Sequence, residues 1–119
     1  MRVLIVEDNA GVRRLLRSAI AELSKEIWEC CDGADALATY AAHQPEVVLM
    51  DIRMPRMDGL AATKQILLFD PSAKVLIMTD YDDDALRNAA QEAGACGYAL
   101  KLNLLDLAQQ VLSLAAEGV

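Results

Sequence analysis

Five positions in this chain carry residue types that do metal or phosphoryl chemistry, and each closes an apolar run. Asp51 follows Val47-Val48-Leu49-Met50, and the acidic pair Glu7-Asp8 follows Val3-Leu4-Ile5-Val6. Thr79 follows Val75-Leu76-Ile77-Met78, and Lys101 follows Tyr98-Ala99-Leu100. Three carboxylates in one cleft repel each other, so such a site either raises a pKa or binds a cation. Hard oxygen ligands in small number suit Mg²⁺, which keeps several waters and shares its shell with a phosphate. In a phosphoryl-transfer site one carboxylate attacks, a metal neutralises the phosphoryl oxygens, and a lysine and a hydroxyl hold them. Asp51 is the expected nucleophile, because it stands alone at the end of a central strand. Glu7 and Asp8 are the expected metal holders.

These residues meet only if the runs lie side by side. Strand and helix patterns alternate five times along the chain. In the first helix Val12, Leu15, Leu16, Ala19, Ile20 and Leu23 form one apolar stripe at helical spacing, with Asn9 as N-cap. A second strand covers Ile27 to Cys30. Asp32-Gly33 breaks the chain and caps a second helix with Ala34, Leu37, Ala38 and Ala41 on its buried face, ended by Gln44-Pro45. The third helix runs from Asp58-Gly59 to Phe69. The fourth begins at Asp82-Asp83-Asp84 and buries Leu86, Ala89, Ala90 and Ala93. The fifth follows Asn103 and buries Leu104, Leu107, Ala108, Val111, Leu112 and Ala115.

Such βα repetition predicts an α/β fold, a parallel sheet with helices on both faces. Strands one, three and four are unbroken apolar runs, as interior strands are. Strand two carries Glu29 and strand five is short, so both read as edges. The order 2-1-3-4-5 satisfies this with right-handed crossovers. It puts the site beyond the C-terminal strand ends, at the switch point between strands one and three.

The totals bound the function. The sequence has 119 residues, 55% hydrophobic and 24% charged, and is expected to form one domain over residues 1–119. No apolar run reaches the roughly 18–20 residues that span a bilayer. A strand pattern directly after Met1 leaves no room for a signal peptide, so a cytoplasmic location is expected. A net charge of −7 repels phosphate backbones and argues against direct binding to nucleic acid. Cys30, Cys31 and Cys96 are odd in number and lack CxxC spacing, so they read as small buried hydrophobes in a reducing compartment.

The chain resembles the receiver domains of two-component response regulators, a flavodoxin-like (βα)5 doubly wound family. Glu7-Asp8, the run Asp51-Ile52-Arg53-Met54-Pro55-Arg56-Met57-Asp58-Gly59, Thr79, Tyr98 and Lys101 stand in the family's order and spacing. The resemblance implies that Asp51 is the phosphoacceptor, fed by a histidine kinase or phosphotransfer protein. It implies Mg²⁺ held by Asp8, Asp51 and the backbone carbonyl of Arg53, with Glu7 reaching it through water. Lys101 would contact the phosphoryl group. Thr79 and Tyr98 would form the switch pair that repacks the face made by the fourth helix, fifth strand and fifth helix. The domain would catalyse only its own phosphorylation and dephosphorylation. The ending Leu114-Ala115-Ala116-Glu117-Gly118 resembles receivers that precede a helix-turn-helix DNA-binding domain, which implies transcription regulation. A homodimer is also compatible with this type.

Two positions depart from the family. Leu102 follows Lys101, where a proline after a cis bond is usual. A non-proline cis bond costs roughly 2.5–4 kcal/mol, so a trans bond that moves Lys101 is expected. Asp80 follows Thr79, where a small residue is usual, and is expected to slow phosphorylation by repelling the donor. Arg53 has Asp80 and Glu7 as candidate ion-pair partners. These departures support an alternative, a degenerate receiver acting only as a protein-interaction module. A phosphatase of the haloacid dehalogenase type would need a DxD pair where Glu7-Asp8 stands, and a flavodoxin would need a phosphate-cradling loop there. Asp82-Asp83-Asp84 reads as a solvated helix start, His43 as a surface residue and Trp28 as a packing residue. Met54 and Met57 suit either loop packing or docking.

Overall fold

The computed structural model describes residues 1–117, so the end of the Leu114–Gly118 segment and the outer limit of the 1–119 domain lie outside the described residues. Five strands alternate with five helices: β1 (Arg2–Val6), α1 (Ala10–Ile20), β2 (Glu26–Cys30), α2 (Ala36–His43), β3 (Val47–Asp51), α3 (Gly59–Phe69), β4 (Val75–Thr79), α4 (Asp84–Glu92), β5 (Gly97–Leu100) and α5 (Leu104–Ala116). The strands form one parallel sheet in the order β2-β1-β3-β4-β5, as the run compositions predict.

Alternate strand residues feed two cores. Leu4, Val6, Val48, Met50, Val75 and Ile77 pack with Tyr40 of α2, Ala62 and Ile66 of α3 and Ala90 of α4. Val3, Ile5, Val47, Leu49, Leu76 and Met78 pack on the other face with Leu16 and Ile20 of α1 and Leu107, Val111 and Leu114 of α5. Covering both faces is what makes Val3–Val6, Val47–Met50 and Val75–Met78 unbroken apolar runs. The edge strand β2 exposes Glu26 and pairs Glu29 with Arg13 at 3.2 Å and Arg17 at 2.7 Å.

Four of the helices, α1, α3, α4 and α5, start on side-chain caps. Asn9, Asp58, Asp83 and Asn103 accept from the amides of Val12, Ala61, Leu86 and Asp106 at 3.0, 2.8, 3.1 and 3.3 Å. Each satisfies one of the orphan donors of a first turn. The aspartate triplet is thus a helix start, with Asp83 as cap.

Four expectations need correction. Asp32 caps a single 3-10 turn, Gly33–Asp35, and α2 begins only at Ala36. The tighter turn shifts the helical phase, so Ala36 and Tyr40 are buried while Ala34, Ala38 and Ala41 are exposed. α1 stops at Ile20, and Leu23 lies in the following turn, where its amide donates to the Ile20 carbonyl at 2.9 Å. Leu15 and Leu112 are 49% and 47% exposed, each at the rim of a stripe wider than the sheet covers. Of the cysteines only Cys30 is buried; Cys31 and Cys96 are exposed. Cys31 lies just past the end of β2, where strand alternation no longer sets its direction. His43 is exposed and stacks on half-buried Trp28 at 4.3 Å. Met54 and Met57 are half-buried against the α2–α3 core, which is loop packing.

Candidate functional site

Register brings the chemistry together. Val6 pairs with Met50, Asp51 with Met78 and Thr79 with Leu100, so four strands end at one level. Glu7, Asp51, Thr79 and Lys101 are all nearly buried, at 0, 3, 5 and 8% exposure, and Asp8 is exposed beside them. They line one cleft of about 270 Å³ together with Arg53, Asp80 and Tyr81.

Lys101 Nζ stands 2.7 Å from Glu7 Oε1 and 2.9 Å from Asp51 Oδ1. It does so although the Lys101–Leu102 bond is trans, the described chain having no cis peptide. The expected displacement of Lys101 is therefore absent. The backbone explains this: the Lys101 amide donates to the Thr79 carbonyl at 2.9 Å, and Leu102 turns out to solvent at 75% exposure. Burial alone would lower the Lys101 pKa, but the hydrogen bonds and charges of Glu7 and Asp51 outweigh it and push the ammonium up.

Burial pushes the Glu7 carboxyl up to about 7, opposed by Lys101 and reinforced by Asp8 and Asp51. Its Oε2 accepts from the Asn9 amide at 3.1 Å. Its Oε1 is paired with the Lys101 ammonium. Oxygens of Glu7, Asp8 and Asp51 all lie within 4.8 Å of one another. When all ionise, three carboxylates against one ammonium leave two negative charges uncompensated. An all-oxygen donor set and this charge excess fit a small hard dication such as Mg²⁺.

Two contacts run from the cleft to the edge of the sheet. The Tyr81 amide donates to Thr79 Oγ1 at 3.3 Å, and the Tyr98 hydroxyl donates to the Tyr81 carbonyl at 2.7 Å. Arg87 lies over the half-buried Tyr98 ring at 4.5 Å. Arg53 forms no ion pair with Asp80 or Glu7; its guanidinium lies 5.5 Å from the Tyr81 ring centroid. The guanidinium is offered an aromatic face where the sequence offered carboxylates.

Sequence reasoning missed two supporting residues. Arg13 donates to the carbonyls of Glu7 and Asp8 at 2.7 and 3.1 Å, with its other side on Glu29, and so fixes the backbone of the acidic pair. No local signal marks it. Asp32 was legible only as a turn former, although its carboxylate reaches the loop after Asp51.

Comparison with known proteins agrees with the geometry. Residues 3–112 match the model of the response regulator receiver domain. The chain is 37% identical to the chemotaxis protein CheY of Thermotoga maritima over 101 residues, covering 84% of each. It is 30% identical to the transcriptional regulatory protein DegU of Brevibacillus brevis, covering 99% of this chain but 51% of that relative. A two-component response regulator of the LuxR family from Aurantimonas superposes with a TM-score of 0.90 at 31% identity, over 98% of this chain and 85% of that one. Receiver domains are regulatory switches of two-component systems, and no helix among the described residues is long and apolar enough to cross a membrane. The chain belongs to the response regulator receiver domain family.

Proposed function

We propose that Asp51 accepts a phosphoryl group from a histidine kinase or phosphotransfer protein, with Mg²⁺ as cofactor, and that the modified site repacks the α4–β5–α5 face. The observation that carries this reading is Lys101 Nζ bridging Glu7 and Asp51 beside Asp8 and Thr79. Asp8, Asp51 and the Arg53 carbonyl would hold the metal, with Glu7 reaching it through water. When bound, the metal neutralises charge on the phosphoryl oxygens.

The chain's own residues do the rest. Lys101 holds Asp51 Oδ1, leaving Oδ2 to attack phosphorus. The P–N bond to the donor imidazole breaks and its electron pair stays on that nitrogen; with the other ring nitrogen protonated, the donor departs as neutral imidazole. Lys101 and the Thr79 hydroxyl then hold the phosphoryl oxygens. As Thr79 turns inward it releases the Tyr81 amide, and Tyr81 carries the change to Tyr98 through its carbonyl.

The domain would work in the cytoplasm as a self-modifying switch, with residues 1–119 as one receiver. The DegU relative, a transcriptional regulatory protein of which this chain spans about half, supports a role in transcription, in which a DNA-binding effector domain would lie outside this chain. A homodimer would suit that role. The degenerate-module alternative loses its main support, because Lys101 reaches Asp51 without the family's proline. The test is labelling by acetyl phosphate or a phosphorylated donor with Mg²⁺. Wild type should gain an acid-stable, base-labile phosphate and Asp51→Asn none. An Asp51→Asn chain that labels at the wild-type rate would defeat the assignment.

A further inference from the structure

We propose that Asp32, outside the cleft, is a positioning residue for the metal and phosphoryl site: its carboxylate fixes loop 52–58 and so the backbone of Arg53. The proposal rests on the function argued above and names a support that function does not include.

Asp32 is 4% exposed, and a buried carboxylate is costly unless its lone pairs are used. Three backbone amides use them. Oδ1 accepts from Ala34 at 2.9 Å and Met57 at 3.0 Å, and Oδ2 accepts from Arg56 at 2.9 Å. Only the first bond caps the local turn. The other two reach 24 and 25 residues ahead, into the loop that joins the acceptor strand to α3. Amide donors of this kind also draw the Asp32 pKa down, the Ala34 amide first and that of Arg56 next.

The next residue shows the same docking independently. A Cβ on Gly33 would stand 2.4 Å from the Met57 carbonyl and 3.1 Å from that of Asp58, so the loop lies directly on the turn. At its other end the loop is closed by the Gly59 amide donating to the Ile52 carbonyl at 2.7 Å. Arg56 and Asp35 also pair across this junction at 2.7 Å, but both are more than half exposed, and such pairs contribute little. Asp32 is thus the buried tie between the two loops. Without it the Arg56 and Met57 amides lose their acceptor, and the segment carrying Arg53 loses its buried anchor on the Asp32 turn. Mg²⁺ demands near-ideal ligand geometry, so a loosened carbonyl weakens its binding.

The experiment compares the full chain with Asp32→Ala, Asp32→Asn and Tyr40→Phe, the last perturbing stability away from the site. Mg²⁺ affinity is measured by calorimetric titration, and hydrogen exchange at the Arg56 and Met57 amides by NMR. Asp32→Ala should weaken Mg²⁺ binding about tenfold, the usual loss when a support of a metal ligand is removed. Asp32→Asn should fall between, since its carbonyl can serve Ala34 and Met57 while its NH₂ meets the Arg56 amide donor to donor. Both variants should exchange the Arg56 amide faster, and Tyr40→Phe should leave Mg²⁺ affinity unchanged. Unchanged affinity in both Asp32 variants, or unchanged exchange at Arg56, overturns the proposal; so does an equal loss in Tyr40→Phe. Should Asp32→Ala not fold, Asp32→Asn decides on the same two readouts. Wild type that binds no Mg²⁺ removes the metal reading and this proposal with it. Wild type that binds it as its Asp32 variants do removes the positioning role alone.

Discussion

The Tyr98 hydroxyl donates to the Tyr81 carbonyl at 2.7 Å, while the amide of that same Tyr81 donates to Thr79 at 3.3 Å. One residue is therefore bonded to both members of the proposed switch pair. The bond to Thr79 is long and contributes about 0.5–1 kcal/mol, small enough for a phosphoryl oxygen to outcompete. Thr79→Val removes the hydroxyl at similar volume. Asp51 should still label in this variant, but a fluorine probe on Tyr98 should lose its response to beryllofluoride. An unaltered response would disprove the link through Tyr81.

Asp80 is exposed at the rim of the cleft, beside an acidic set already in charge excess. Two unit charges 4 Å apart in water interact by about 1 kcal/mol, so Asp80→Ala should speed labelling by a small anionic donor about fivefold. The gain should shrink as salt screens the exposed charge. Rates compared at low and high ionic strength check both statements; equal rates in variant and wild type would show that Asp80 points harmlessly to solvent.

Gly59 opens α3 where the helix presses on β3. A Cβ there would fall 1.8 Å from the Asp51 carbonyl oxygen and 2.9 Å from the Met50 side chain. Backbone cannot yield as a side chain does, so Gly59→Ala should cost at least about 1–3 kcal/mol. For a domain of this size that lowers Tm by roughly 4 °C or more. A thermal melt at wild-type Tm would refute the close contact.

Tyr40 and Asp70 supply the pH dependence. The buried Tyr40 hydroxyl donates to Asp70 Oδ2 at 2.7 Å, and this bond, ahead of those from Ser72, holds the Asp70 pKa below its ordinary 3.8. Burial first, then Asp70, drives the Tyr40 pKa up, so the phenol stays protonated. A depressed carboxylate contributes stability above its unfolded pKa and loses it as pH falls through the folded value. Tyr40→Phe should therefore cost about 1 kcal/mol near neutrality and less in acid. Denaturant melts at pH 7 and below pH 3 measure the difference; a gap that widens in acid would contradict the assignment.

The sheet was legible because composition reports burial directly. Runs such as Val47 to Met50 have no polar face, so they sit inside, and Glu29 marks an edge. The site was legible because each chemical residue follows such a run. Phase and distance were not. The 3-10 turn at Gly33–Asp35 shifts α2 enough to exchange Ala38 for Tyr40, and nothing in an alanine-rich stretch announces it. Arg53 lies by Tyr81 and Lys101 holds Glu7, pairings that exist only in three dimensions. Asp32 and Arg13 act over sequence separations that no periodicity encodes.

The charges along β2 govern more than its place in the sheet. Its outer side is an open row of amides and carbonyls on which a foreign strand would template, and exposed Glu26 together with the Glu29 pairs makes that docking costly. Arg13 ties this guard to the cleft, since the same guanidinium holds Glu29 and the carbonyls of Glu7 and Asp8. Loss of Glu29 would thus expose the chain to aggregation and loosen its acidic pair at once. Protection of the sheet edge and the fixing of the acidic pair share one arginine.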